Sequence, residues 1–113
     1  MVIFDLDGVL CDFDAAARLA SLTGITGIPA DRIHGATFGS QFECDAEAGV
    51  YPTGAEYLAA FNARLKFSLT REQWIAARRV AMRPRPEMLA YVARLRARVP
   101  VALLTNNGAL LRE

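Results

Sequence analysis

Met1-Val2-Ile3-Phe4-Asp5-Leu6-Asp7-Gly8-Val9-Leu10 decides the reading of this chain. Val2-Ile3-Phe4 is a short apolar, largely β-branched run that stops at two carboxylates and a glycine. A run without polar alternation reads as a buried parallel strand, here one that ends in a functional loop. Side chains two apart on a strand point to the same side, so Asp5 and Asp7 can face one pocket. It would lie at the C-terminal end of the strand, where open α/β sheets bind ligands. Two carboxylates held this close repel, and a divalent cation relieves the repulsion. Magnesium suits such a pair, because it takes a few carboxylate oxygens together with water and phosphate. An EF-hand reading fails. Counting from Asp5, the fifth position is Val9 and Gly8 falls at the fourth, whereas that loop needs an oxygen ligand at the fifth and glycine at the sixth.

Further along, Val101-Ala-Leu-Leu104 is a second apolar run, opened by Pro100 and closed by Thr105-Asn106-Asn107-Gly108. The segment between the two runs predicts helices. Ala15 to Leu22 is alanine-rich, with Gly24 and Gly27 as its stops. Thr53 with Glu56, and Thr70 with Gln73, are capping-box pairs. Tyr57, Leu58, Phe61 and Leu65 follow the first at helical spacing, and Trp74, Ile75 and Met82 follow the second. Ile28 to Gly49 carries only short periodic pieces. Arg83-Pro-Arg-Pro86 breaks the last of these helices, and Pro86 suits the first turn of the next, with Met88, Leu89, Val92 and Leu95 on one face. The expected fold class is α/β: a partial doubly wound, Rossmann-like parallel-sheet core with an inserted helical cap. Residues 1–13 and 84–113 form the partial catalytic core, and residues 14–83 the cap.

Composition narrows the function classes. Hydrophobic residues make up 53% of the 113, which excludes a disordered chain. A net charge of +1 gives no global attraction to nucleic acid or anionic lipid. No apolar run approaches the roughly 20 residues that span a bilayer, and Asp5 and Asp7 interrupt any leader-like start. With two cysteines, Cys11 and Cys44, read as reduced thiols, the expected location is cytoplasmic.

Chemistry fits the pair of aspartates. Hydrolysis of a phosphate monoester is among the slowest uncatalysed reactions, accelerated by enzymes up to about 10²¹-fold. A carboxylate nucleophile divides it into two easier steps through an aspartyl phosphate. A second carboxylate protonates the leaving oxygen, then deprotonates the attacking water. Gly8 lets the chain turn sharply behind the pair.

These residues carry a resemblance. Val2-Ile-Phe-Asp-Leu-Asp-Gly-Val-Leu-Cys-Asp12 resembles the first motif of the haloacid dehalogenase-like (HAD) hydrolase superfamily, and Val101-Ala-Leu-Leu-Thr-Asn106 resembles its second. The intervening segment matches the placement of that superfamily's small helical cap. The resemblance implies Asp5 as nucleophile and magnesium ligand, and Asp7 as general acid/base with its backbone carbonyl on the metal. Thr105 and Asn106 would bind the transferring phosphoryl group, and Asn107 or Gly108 would begin a helix with anion-facing amides. Asp7 separates this chain from the dehalogenases, which lack the second aspartate, and the sequence does not match the Asp-Lys-Thr-Gly of P-type ATPases. The implied function is a magnesium-dependent phosphatase of small phosphorylated metabolites, sugar phosphates foremost. The alternatives are a phosphomutase or a truncated non-catalytic domain that binds a phosphorylated ligand or a partner chain. The superfamily's later lysine and acidic motif have no counterpart before Glu113, so the 113 residues alone are expected to turn over poorly. The missing half would come from a longer chain or an oligomeric partner. An apolar sheet edge would then be exposed.

Other side chains are read more plainly. His34 is expected as a capping or surface residue, Cys11 as a small core residue, and Phe38, Phe42 and Tyr51 as packing within the cap. Arg78, Arg79, Arg83, Arg85, Arg94, Arg96 and Arg98 read as solvated helix-face cations. Arg83 or Arg85 at the cap joint is the best candidate among them for touching substrate.

Overall fold

The computed structural model describes residues 1–112. Strand β1 (Val2–Phe4) pairs in parallel with β4 (Val101–Leu103), in the register Val2↔Val101, Ile3↔Ala102, Phe4↔Leu103. The two apolar runs are therefore neighbours in one small parallel sheet. A second sheet pairs β2 (Cys11–Phe13) antiparallel to β3 (Met82–Pro84). Between β2 and β3 run five helices: α1 (Ala15–Thr26), α2 (Ala30–Ala36), α3 (Gln41–Glu47), α4 (Gly54–Leu65) and α5 (Arg71–Ala81). Helix α6 (Pro86–Leu95) leads into β4, and α7 (Ala109–Arg112) follows it.

The local signals act as the sequence predicts. Both capping boxes form: Thr53 and Thr70 each accept from the backbone N–H three residues on, and Glu56 and Gln73 reach back to the cap. Pro86 sits in the first turn of α6. Tyr57, Phe61 and Leu65 turn inward along α4. Phe42 is fully buried, with its ring centroid 5.3 Å from those of both Tyr51 and Tyr57 and 6.0 Å from that of Phe61. This aromatic cluster is the helical unit's core, joined by Leu110 of α7, and among the described residues no β-strand residue enters it.

The structure sharpens three readings. Of the two stops expected for helix α1, the chain runs through Gly24 and ends at Gly27, whose φ of 73° gives the left-handed cap. A glycine inside a helix costs only about 1 kcal/mol, and packing of α1 on α5 outweighs it. The segment 28–49 holds two short helices, with Ser40 capping α3 and Thr37 Oγ1 donating to the Ile33 carbonyl. Met82 has left the helix: it opens β3, so the joint at 83–86 begins as a strand laid on β2. Its ladder, Cys11↔Pro84, Asp12↔Arg83 and Phe13↔Met82, spans the boundary drawn between residues 83 and 84. Pro84 is tolerated because a two-stranded sheet is all edge.

The parallel strands, read as buried, are largely open in this chain. Ile3 is 59% exposed and Leu103 52%. Packing includes Tyr91 of α6, edge-on to Phe4 at 6.4 Å. The apolar character of the runs is that of strands covered on both faces, and the exposed apolar edge expected from the sequence is present.

Candidate functional site

Because β1 and β4 run parallel, the segments leaving their C-terminal ends are adjacent. The Leu104 amide donates to the Phe4 carbonyl at 2.8 Å, extending the pairing to the last residue before Thr105. After β1 the chain turns tightly: Leu10 and Cys11 amides donate to the Leu6 carbonyl, and the Gly8 amide donates to Cys11 at 2.7 Å. Gly8 has φ +78°, a conformation that disfavours any side chain, so glycine is required for this return into β2.

Asp7 is the hub of the polar network. Arg78 Nη2 donates to both of its carboxylate oxygens, at 3.2 and 3.0 Å. Asn107 Nδ2 donates to Asp7 Oδ2 at 3.0 Å and to Thr105 Oγ1 at 2.6 Å. The same Arg78 nitrogen also donates to Asn107 Oδ1 at 3.0 Å. Three distant segments thus meet at one carboxylate: the loop after β1, helix α5 and the loop after β4. Asp5 is exposed, and its carboxylate accepts from the Leu6 amide at 2.7 Å. Thr105 touches Asp7 through Asn107, while Asn106 lines the neighbouring cavity. Helix α7 begins at Ala109, just after the Asn107-Gly108 pair that was expected to start it.

The cavity, about 270 Å³, starts at Asp7 and Asn107 and runs under the helices to His34 and Phe38. Its walls include two buried guanidinium groups. Arg78 lies 4.4 Å from the Phe13 ring centroid. Arg18 lies 3.9 Å from the Phe38 ring and 4.9 Å from the Trp74 ring, so the aromatic faces pack on a cation. Burial lowers the Arg18 guanidinium to about 10, and burial raises the Tyr57 hydroxyl beside it to about 12. Glu43 faces the same space. Loss of solvent raises its carboxyl above the usual range, Glu47 adds to that, and the charges of Arg18 and Arg78 oppose it.

The Glu43 shift has a sign that can be tested. A carboxyl raised in the folded state contributes stability that is full below its unfolded pKa and lost as pH rises through the folded one. Ionised Glu43 therefore weakens the fold at neutral pH. Glu43→Gln is expected to raise Tm at about pH 7, and the gain to vanish below the ordinary glutamate pKa of about 4.3. Thermal denaturation across that range checks it; an equal shift at both ends would contradict it.

Arg78 corrects the reading of the arginine stretch as a solvated face. It is 6% exposed and reaches Asp7, 71 residues away in sequence. Arg83 and Arg85 serve the joint instead: Arg83 pairs with Asp14 at 3.3 Å, and Arg85 pairs with Asp12 at 3.4 Å and donates to the Gly8 carbonyl at 3.0 Å. Arg18 was not picked out from sequence, and Asn107 was read as a helix start rather than as a partner of Asp7. A signal existed for the two arginines. Arg18 is four residues before buried Leu22, and Arg78 four after buried Trp74, so each cation sits on an apolar stripe. Cys11 is buried, and His34 is an exposed residue at the end of α2.

No helix of the described residues is long and apolar enough to cross a membrane. No protein-family model matches the chain, and no curated protein matches it. Among solved structures the fold is similar to that of the HAD family enzyme BT-2542 from Bacteroides thetaiotaomicron. The TM-score is 0.73 at 21% identity, over 96% of this chain and 54% of that one. It is similar also to the wild-type form of that enzyme in complex with magnesium and inorganic phosphate, with a TM-score of 0.71 at 21% identity and the same coverage. A magnesium complex of the enzyme gives a TM-score of 0.66 at 20% identity, over 96% and 52% of the two chains. The fold is thus a partial HAD-like α/β arrangement, and the chain spans about half the length of the structures it resembles.

Proposed function

We propose that this chain carries the nucleophile-bearing part of a magnesium-assisted phosphoric monoester hydrolase. The observation that carries the reading is the Asp5–Asp7 pair at the C-terminal end of β1, with Asp7 gripped by Arg78 and Asn107. In this reading Asp5 attacks phosphorus and becomes the aspartyl phosphate. Asp7 gives a proton to the leaving oxygen, then takes one from the water that hydrolyses the intermediate. Arg78 and Asn107 hold the Asp7 carboxylate in one orientation, which lowers the cost of aligning it for transfer. Thr105 and Asn106 supply hydroxyl and amide donors to the phosphoryl oxygens.

The donor set suits magnesium. Asp5 is exposed, and its carboxylate and the Asp7 backbone carbonyl are the hard oxygens that this ion accepts beside water and phosphate. When bound, the ion neutralises phosphate charge and polarises the phosphoryl group. The neighbour's complex with magnesium and inorganic phosphate supports the same pairing of ligands here. In this reading residues 14–83 act as a cap over a partial core of residues 1–13 and 84–113. A further cation for the phosphate and a further acidic metal ligand come from outside these residues, in a longer chain or a partner. The substrate is a small phosphorylated metabolite rather than nucleic acid, and the setting is cytoplasmic.

Phosphate release from phenyl phosphate tests the proposal. Release is expected to need magnesium and to stop on chelation. Release that is indifferent to chelation would contradict it.

A further inference from the structure

The turn that carries Asp7 hinges on its most pliable residue. Gly8 holds a φ of +78°, a conformation that residues with side chains rarely adopt. Glycine also has the most conformational freedom to lose, so nothing intrinsic to it keeps the adjoining peptide planes in place. Each plane is held from outside instead. On one, the Gly8 amide donates to the Cys11 carbonyl at 2.7 Å. Because a peptide group is planar, that bond also fixes the direction of the Asp7 carbonyl. On the other, the Gly8 carbonyl accepts from Arg85 Nη1 at 3.0 Å.

Arg85 meets this turn at three points. Its backbone amide donates to the Leu10 carbonyl at 2.9 Å, its Nη1 donates to Gly8, and its Nε pairs with Asp12 Oδ1 at 3.4 Å. A planar guanidinium serves two side-chain bonds of this kind at once in a fixed geometry, whereas an ammonium on a flexible stem does not. The ion pair is open to solvent, with the Arg85 side chain 38% exposed and that of Asp12 61%, so it adds little to stability. Arg85 does not line the cavity that starts at Asp7. Any effect it has on the chemistry runs through the turn.

We infer that Arg85 is a positioning residue for Asp7, and that it acts by locking the Gly8 turn in the conformation that aims the carboxylate. Arg78 and Asn107 hold the carboxylate itself, and Arg85 holds the backbone from which it projects. The inference rests on the phosphatase reading, and it makes the two half-reactions unequal. With acetyl phosphate, Asp5 attacks phosphorus and the bond to acetate breaks; acetate leaves as a stable anion that needs no proton. Water then attacks the phosphorus of the aspartyl phosphate, Asp7 takes a proton from it, and the bond to Asp5 breaks to release phosphate. A loosened Asp7 slows the second step and spares the first.

The test forms phosphoryl-Asp5 from acetyl phosphate at saturating magnesium, then follows its decay by acid quench after the donor is removed. It compares wild type, Arg85→Ala and Arg85→Lys. Arg85→Ala is expected to form the intermediate within about two-fold of the wild-type rate and to lose it about ten-fold more slowly, the scale of a hydrogen bond to a charged group. Arg85→Lys keeps the charge without the fork and is expected to stay at least about five-fold slow in decay. Amide hydrogen exchange over residues 6–11 is expected to quicken at least about five-fold in both variants, with Tm within about 2 °C of wild type. Equal slowing of both steps, wild-type decay in Arg85→Lys, or unchanged exchange over residues 6–11 would each overturn the inference. If wild type forms no phosphoryl-Asp5, the phosphatase reading fails, and exchange over residues 6–11 then decides whether Arg85 locks the turn.

Discussion

Asp5→Asn is expected to remove phosphoryl transfer while leaving the fold unchanged. Its carboxylate lies at the exposed end of β1, and its hydrogen bond is to the adjacent Leu6 amide, at 2.7 Å. An amide oxygen can still accept that exposed bond, so Tm should move by no more than about 0.5 kcal/mol of stability implies. Asparagine cannot, however, serve as the attacking oxyanion. Removal of a nucleophile from a machinery that acts as a unit costs at least about 10³-fold in kcat. Phosphate release from phenyl phosphate, with circular dichroism as a fold control, measures both halves of this expectation. A residual rate within about ten-fold of wild type would mean that the attacking group is not Asp5.

Phe61→Ala is expected to produce the largest loss of stability. Phe61 is fully buried, and its ring centroid lies 5.6 Å from that of Phe38 and 6.0 Å from those of Phe42 and Tyr57. Replacing a buried phenylalanine by alanine costs about 3–5 kcal/mol, from lost transfer energy and the cavity left behind. That is a large part of the roughly 5–15 kcal/mol that holds a domain together. The loss reaches the site, because Arg18 and Arg78 are carried on α1 and α5, the two helices that pack most extensively on each other. Tm is expected to fall by more than about 10 °C. Val80→Ala, at a 54% exposed position of α5, should stay within about 0.5 kcal/mol and serves as the control. A Phe61→Ala protein that melts within a few degrees of wild type would show that the aromatic cluster is not the core.

Much of the fold was legible because its signals are local. A capping box is complete within four residues, so Thr53 with Glu56 and Thr70 with Gln73 announced α4 and α5 correctly. The apolar runs before Asp5 and before Thr105 announced the two parallel strands. What escaped was non-local. Strands β2 and β3 are three residues each, hold Asp12, Arg83 and Pro84, and exist only because the ends of the helical unit are brought together. Neither has a periodic pattern of its own. The short helices α2 and α3 hide for a related reason: seven residues hold too little periodicity to distinguish a helix from a loop.

The site divides in the same way. Asp5 and Asp7 were singled out as alternate residues of an expected strand, but β1 ends at Phe4, and of the two only Asp7 lines the cavity. The Thr105-Asn106-Asn107-Gly108 stretch was visible too, but which asparagine meets Asp7 depends on the turn geometry. Asn107 makes that contact across 100 residues of sequence, and Asn106 turns to the cavity. Arg78 looked like its neighbour Arg79, yet one turns inward and the other outward on the same helix. Only the buried stripe of Trp74, Ala77 and Ala81 distinguishes them. A cation on such a stripe is costly unless something compensates it, and here Asp7 does.

The most direct test of the chemistry assigned to Asp5 is acid-quenched mass spectrometry of the protein mixed with acetyl phosphate and magnesium. One phosphoryl group is expected on the peptide that contains Asp5, localised to Asp5 itself, dependent on magnesium and absent from Asp5→Asn. A phosphoryl group on Asp7 or Asp12, or one that persists in Asp5→Asn, would contradict that assignment.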